Sequence, residues 1–245
     1  MSKKFYEFKN STDNTVDLYF YGDIVADSWY DWWDDETQYP QSIKDFLDEA
    51  NGKDLNIYIN SYGGHVSGGL AIYNMLKRYK GHKNVHVDGY ACSIASVIAL
   101  AGDTVTIPKT SLLMIHKPYN MVYDNLNADE CRKMADDLDR IEQCILNVYE
   151  ENLKDGVSID TVKALVDAET WLTGDQAAEY FNIIVSDDVA VACNEKSDFI
   201  NKYKKAPYNL ADFKVKKAKD KSEKNKQIDE LELQKNNLML EIDLI

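Results

Sequence analysis

The stretch Gly89-Tyr90-Ala91-Cys92-Ser93-Ile94-Ala95-Ser96 follows the strand pattern Val85-His86-Val87-Asp88 and runs into an apolar helix pattern. Small residues let a chain turn sharply from strand to helix, and a side chain at the apex of such a turn is pushed clear of the backbone. Ser93 is therefore a candidate nucleophile. No glycine stands immediately on either side of it, and a serine that only caps the following helix gives the same pattern. Cys92 precedes the turn, a position expected to point into the core.

Two further segments bear on this reading. Upstream, Ile57-Tyr58-Ile59-Asn60-Ser61-Tyr62-Gly63-Gly64-His65-Val66-Ser67-Gly68-Gly69 reads as a β-branched and aromatic strand, a glycine turn and a helix start. Downstream, Leu112-Leu113-Met114-Ile115-His116-Lys117-Pro118 is a strand that delivers a histidine at its end. A serine hydroxyl needs a base within hydrogen-bond reach, and imidazole has the pKa suited to that task near neutrality. Of the four histidines, His82 follows Gly81 in a lysine-bearing turn and His86 alternates with valines in a strand. His116 stands where strands hand side chains to a site at their carboxyl ends. His65, in the glycine turn, is its competitor.

In this order and at this spacing, strand-Asn-Ser-x-Gly-Gly, Gly-x-Ala-x-Ser and Met-Ile-His-x-Pro resemble the Clp protease proteolytic subunit (ClpP) family, in the style of the ClpP-like proteases of phages and prophages. The resemblance covers about residues 14–190. It implies an α/β fold, the ClpP/crotonase-like ββα spiral with a long handle helix, here followed by a helical C-terminal extension. It implies a serine endopeptidase with Ser93 as nucleophile, His116 as base and Asp167 as the orienting acid, with Glu169 as the alternative acid in Asp167-Ala168-Glu169-Thr170-Trp171. The oxyanion donors it implies are the main-chain N–H groups of Gly63 and Ile94, and Gly64, His65 and Val66 begin the strip along which an extended peptide would lie. It implies a homo-oligomeric ring, a polypeptide substrate, and neither cofactor nor metal. The glycine turn has the alternative reading of a phosphate cradle, but no Gly-Lys-Ser/Thr follows it.

Composition narrows the classes. With 245 residues, 44% of them apolar, the chain can bury a sizeable core. A formal net charge of −14 argues against a nucleic-acid or anionic-membrane binder. Cys92, Cys131, Cys144 and Cys193 show no zinc spacing, no apolar run reaches membrane-spanning length and no secretory leader is evident, so a cytoplasmic protein is expected.

Strand and helix patterns alternate, as an α/β layer fold requires. Val16–Tyr21 reads as a first strand, and Pro40 opens a helix with Ile43, Phe46 and Leu47 on one face. Trp29, Trp32 and Trp33 cluster among acids and are expected to pack. The run 127–153 carries Met134, Leu138, Ile141, Ile145, Val148 and Tyr149 at helical spacing, with Asn127 or Asp129 as its cap. By resemblance this is the handle; read from the residues alone, it covers a face of its own sheet. In Tyr180-Phe181-Asn182-Ile183, Asn182 stands where the family has glycine and is expected to take a left-handed helix cap.

The expected organisation is a polar N-terminal segment (1–13), a protease domain (14–201), a lysine-rich linker (202–226) and a short coiled-coil-like helix (227–245). The linker holds ten lysines against three acids, a net of about +7 in an acidic chain. Beyond it Ile228, Leu231, Leu238, Ile242 and Ile245 fall on alternating three- and four-residue steps, with Lys235 interrupting the seam between Leu231 and Leu238, too brief to be stable without a partner. The N-terminal segment lacks the apolar loop that docks an unfoldase, which leaves an ATPase partner open and favours a phage protease acting on capsid or scaffold protein. The competing readings are an idle ClpP-shaped scaffold and a crotonase-fold acyl-CoA enzyme.

Overall fold

The computed structural model describes residues 14–26, 39–120, 122, 124–187 and 203–206, together with the backbone of a strand at Tyr6–Glu7. The chain divides into two compact units, 1–199 and 200–245. Trp29, Trp32 and Trp33, the N-terminal segment's side chains, Cys193 and the coiled-coil-like helix lie outside the described residues.

In chain order the elements are β1 (Tyr6–Glu7), β2 (Thr15–Tyr21), α1 (Pro40–Ala50), β3 (Asp54–Ser61), α2 (Val66–Arg78), β4 (Lys83–Cys92), α3 (Ile94–Ala99), β5 (Thr104–Pro108), β6 (Leu112–Ile115), α4 (Ala128–Glu151), α5 (Ile159–Asp167), β7 (Thr170–Thr173), α6 (Gly174–Tyr180) and β8 (Ile184–Ser186). One sheet runs β1-β2-β3-β4-β5-β8, with β6 pairing both β4 and β7. The β2-β3, β3-β4, β4-β5, β4-β6 and β5-β8 pairs are parallel, while β1 and β7 run antiparallel to their neighbours. The expected α/β class is the observed one.

Strand β2 shows why these residues pair as they do: Val16, Leu18 and Phe20 are buried while the residues between them are half-buried, the period-2 pattern of a strand with one core face. Helix α1 buries Ile43, Phe46, Leu47 and Ala50, and α2 buries Ile72, Tyr73 and Leu76, both into the same apolar core as β2 to β5. The 24-residue α4 opens on a capping box in which Asn127 accepts from the Asp129 and Glu130 N–H groups and Glu130 accepts the Asn127 N–H. Its buried residues lie in the second half, Glu142, Ile145, Leu146, Val148 and Tyr149, so the first half makes little core.

Strand β4 is shared along its length. Residues 84–86 pair with β5, and residues 90–92 pair with β6. The division falls where β3 and β4 slip register between Ile59 and Ser61. There the Asn60 side-chain oxygen accepts the Tyr90 N–H at 3.2 Å, and a Cβ on Gly89 would stand 2.7 Å from that oxygen. The Asn60 amide thus satisfies a donor that the slipped ladder leaves without a partner strand.

Asn182 departs from expectation. Its φ is not positive; α6 is closed by Phe181 in an extended conformation. The Asn182 N–H donates to the Asn152 carbonyl at 2.9 Å and its side-chain amide to the Leu153 carbonyl at 2.6 Å, satisfying carbonyls at the end of α4.

Candidate active site

Three strand ends meet at the site. The register Cys92↔Met114, with the Ser93 N–H donating to the Met114 carbonyl at 2.8 Å, sets the residue after β4 beside the residues that end β6. Ser93 has φ 55 and ψ −127, a backbone conformation costly for a residue with a Cβ. It occupies the N-cap of α3 but makes no side-chain cap bond. Its Oγ lies instead 2.7 Å from His116 Nε2. The capping alternative for Ser93 is thereby removed.

The elbow is braced from two sides. Ser96 donates both its N–H, at 2.9 Å, and its hydroxyl, at 2.6 Å, to the Ser93 carbonyl. With that hydroxyl proton used, the buried Tyr149 of α4 donates to Ser96 Oγ at 2.8 Å. On the other side, Ser61 Oγ donates to the Gly22 carbonyl at 2.6 Å and accepts the Gly63 N–H at 3.0 Å. Gly63 has φ 92, and a Cβ there would stand 2.6 Å from the Cys92 oxygen and 2.8 Å from Ser93 Cβ. Gly64, with φ 152, has no room for a Cβ against the Ile24 carbonyl. Only residues without a side chain allow this turn to lie against the elbow.

The two glycine donors therefore differ. The Gly63 N–H, the expected oxyanion donor, is engaged by Ser61 Oγ. Among the described residues the N–H groups of Gly64 and Ile94 have no partner. Ile94 opens α3, where N–H groups have no intrahelical acceptor.

His116 is buried, and burial pushes its imidazole down to about 4, with the charge of Glu169 pulling the other way. It is thus neutral at pH 7. The Tyr119 ring lies 5.6 Å from it, centroid to centroid, and the Tyr119 hydroxyl is raised to about 12 by burial and then by Glu169. His65 is exposed and its Nδ1 lies 3.0 Å from Ser67 Oγ in its own helix turn. It does not reach into the pair as the competing base. Val66 starts α2 and is half-buried. Cys92 is fully buried and burial raises its thiol, as suits a core residue rather than a nucleophile.

The two candidate acids are placed differently. Asp167 ends α5, and its Oδ1 pairs with Lys117 Nζ at 2.9 Å. Strand β7 runs antiparallel to β6 with Ile115 opposite Thr170. Continued by one residue, that register sets Glu169 across from His116. Glu169 has φ 50, an unfavourable conformation for a non-glycine residue, at the turn between α5 and β7. Of the two candidate acids, Glu169 is the one whose charge raises the His116 imidazole, while Asp167 is held by Lys117.

Sequence reasoning missed Lys117, Ser96, Tyr149, Ser61 and Tyr119. Lys117 and Ser61 stood inside the quoted motifs, where a lysine beside the histidine and a serine before the glycines were available signals. Tyr149 carried only a helical-spacing signal, which says nothing of its hydroxyl.

A strand-to-helix turn that holds a serine against a buried neutral imidazole, with main-chain N–H groups open beside it, defines the class of sites built for nucleophilic attack by a hydroxyl. Comparison with known families matches residues 42–185 to the Clp protease family. The chain belongs to that family. It is similar to the ATP-dependent Clp protease proteolytic subunit of Bacteroides fragilis, 32% identical over 139 residues, 55% of this chain and 65% of that protein. The same-named protein of Ligilactobacillus salivarius is 31% identical over 139 residues, 55% of this chain and 68% of its own length. That of Adiantum capillus-veneris is 27% identical over 135 residues, 54% and 66% respectively. The chain thus spans a little less than two thirds of the first of these relatives. Among the described residues no helix is long and apolar enough to cross a membrane, and no cluster of side chains suits a metal ion.

Proposed function

We propose that this chain is a serine endopeptidase in which Ser93, His116 and Glu169 act as nucleophile, base and orienting acid. The observation that carries the reading is the 2.7 Å contact between His116 Nε2 and the hydroxyl of a strained Ser93. With Nε2 accepting, Nδ1 carries the ring proton, and the Glu169 charge stabilises the imidazolium that forms next. As Ser93 Oγ bonds to the peptide carbonyl carbon, its proton passes to Nε2 and the carbonyl oxygen becomes an oxyanion. The N–H groups of Ile94 and Gly64 are the donors for that oxyanion, Gly63 being engaged by Ser61. His116 then gives its proton to the leaving amine, and water hydrolyses the acyl-enzyme by the same proton route. Gly64, His65 and Val66 border the path of an extended peptide.

The finer reading is a homo-oligomeric, phage-type protease whose substrate is a capsid or scaffold protein. It is supported by the charge reversal and heptad-like spacing after residue 201, which suit self-associating helical partners.

A fluorophosphonate probe should label wild type at Ser93 only, with labelling and peptide cleavage both lost in Ser93→Ala and His116→Ala while oligomeric size is kept. Unchanged cleavage in His116→Ala would remove the assigned base. Thioester turnover that survives Ser93→Ala would favour the acyl-CoA reading, and absence of any labelling the idle scaffold. Mass spectrometry of a co-expressed capsid precursor tests the substrate: cleavage lost with Ser93→Ala is expected, and an intact precursor overturns that choice.

A further inference from the structure

We infer that Lys117 is a positioning residue that selects the acid: by holding Asp167 and Glu142 it keeps both carboxylates off His116 and leaves that place to Glu169. The inference rests on the peptidase reading above for its functional meaning, and on the following geometry for its substance.

Lys117 directly follows His116, and its Nζ lies 2.9 Å from Asp167 Oδ1 and 3.7 Å from Glu142 Oε2. The three side chains come from three places: the loop after β6, the last residue of α5 and the middle of α4. Asp167 and Glu169 are separated by one residue, so the turn between α5 and β7 carries two like charges, of which that of Glu169 acts on His116. A cation beside the ring disfavours the imidazolium and an anion favours it; paired as Lys117 and Asp167 they largely cancel. Glu169 is then the acid whose charge remains to act on His116.

Stability is a poor explanation for the arrangement. The Lys117 and Asp167 side chains are 51% and 46% exposed, and pairs in that setting contribute little to folding once solvent screens them. Glu142 differs, with a side chain only 10% exposed; a charge so placed is held where a cation meets it. The cluster therefore ties α4 and the α5–β7 turn to the loop that carries the base. The groups that act on His116 are Ser93 from the elbow, Glu169 from the turn before β7 and Tyr119 from its own loop, and the next residue, Lys117, makes the pairs to α4 and α5.

The test follows the His116 imidazole by NMR of a ¹³Cε1-labelled full chain, beside the acid limb of kcat/KM for a small peptide. Lys117→Met is expected to raise the His116 titration midpoint and the acid limb together by roughly 0.5–1 unit, since Asp167 is released and the neighbouring cation lost. Lys117→Arg should match wild type, and Lys117→Met with Asp167→Asn should return most of the way. If Lys117→Met does not fold, Lys117→Gln carries the same expectation. A midpoint unmoved in Lys117→Met or Lys117→Gln overturns the inference, as does a double variant that stays with the single one. Should wild type cleave no peptide while the midpoints move as stated, the peptidase reading falls and the acid selection stands. Normal cleavage with unmoved midpoints gives the reverse.

Discussion

Glu169 and Asp167 carry the same charge and stand on either side of Ala168, yet Asp167 pairs with Lys117 while the charge of Glu169 acts on His116. Glu169→Gln is therefore expected to lower kcat by about 10³–10⁴-fold, since the imidazolium loses its counter-charge, whereas Asp167→Asn should stay within about threefold because it removes one half of a solvent-screened pair. Peptide kinetics on both variants decide the assignment. His116 itself makes stability depend on pH. Its folded-state midpoint lies at about 4 against an ordinary 6.5, so as pH falls the unfolded chain takes the proton first. Nothing is lost above about pH 6.5; between there and about 4 the imidazole should cost up to about 3 kcal/mol of stability. Urea unfolding of wild type and His116→Asn at about pH 7.5 and about pH 4.5 checks this, with a smaller acid loss expected in the variant. Ser93 and His116 were legible in the sequence because a small-residue turn and a strand-end histidine are local patterns. The acid was not legible, because two carboxylates one residue apart can be told apart only by the strand that follows them.

At the scale of elements, the joint between α3 and α4 supports the elbow. Ser96 gives two hydrogen bonds to the Ser93 carbonyl and receives one from Tyr149. Tyr149→Phe removes one bond and should cost about 1 kcal/mol, whereas Ser96→Ala also leaves a buried hydroxyl without its partner and should cost about 1–3 kcal/mol. Denaturant unfolding gives the stabilities, and the rate of probe labelling at Ser93 should fall more in Ser96→Ala than in Tyr149→Phe; the reverse order would place the brace elsewhere. The helices themselves were readable. Pro40 opens α1 and Asn127 caps α4, both from signals within a few residues. The division of β4 between β5 and β6 was not, since a strand's own residues do not say that its partner changes halfway. Nor was Asn182, whose amide goes to the end of α4 instead of a helix cap.

For the whole molecule, the acidic chain with its lysine-rich stretch separates by charge as well as by sequence pattern. Deleting residues 203–245 is expected to leave cleavage of small peptides intact while changing ring association or the choice of protein substrate. Sedimentation analysis and a digest of a protein substrate read the two effects, and identical behaviour of both forms would remove the tail from the functional account. Three ordered motifs, periodic strands and capped helices are short-range patterns, each fixed by residues within about a dozen positions. By themselves they determined the α/β class, the nucleophile candidate and its two competing histidines. The tertiary structure alone decided which histidine meets Ser93, which glycine N–H is open and which carboxylate Lys117 holds. Those choices depend on strand register across the sheet, where side chains distant in sequence come within about 3 Å, and no local pattern encodes that distance.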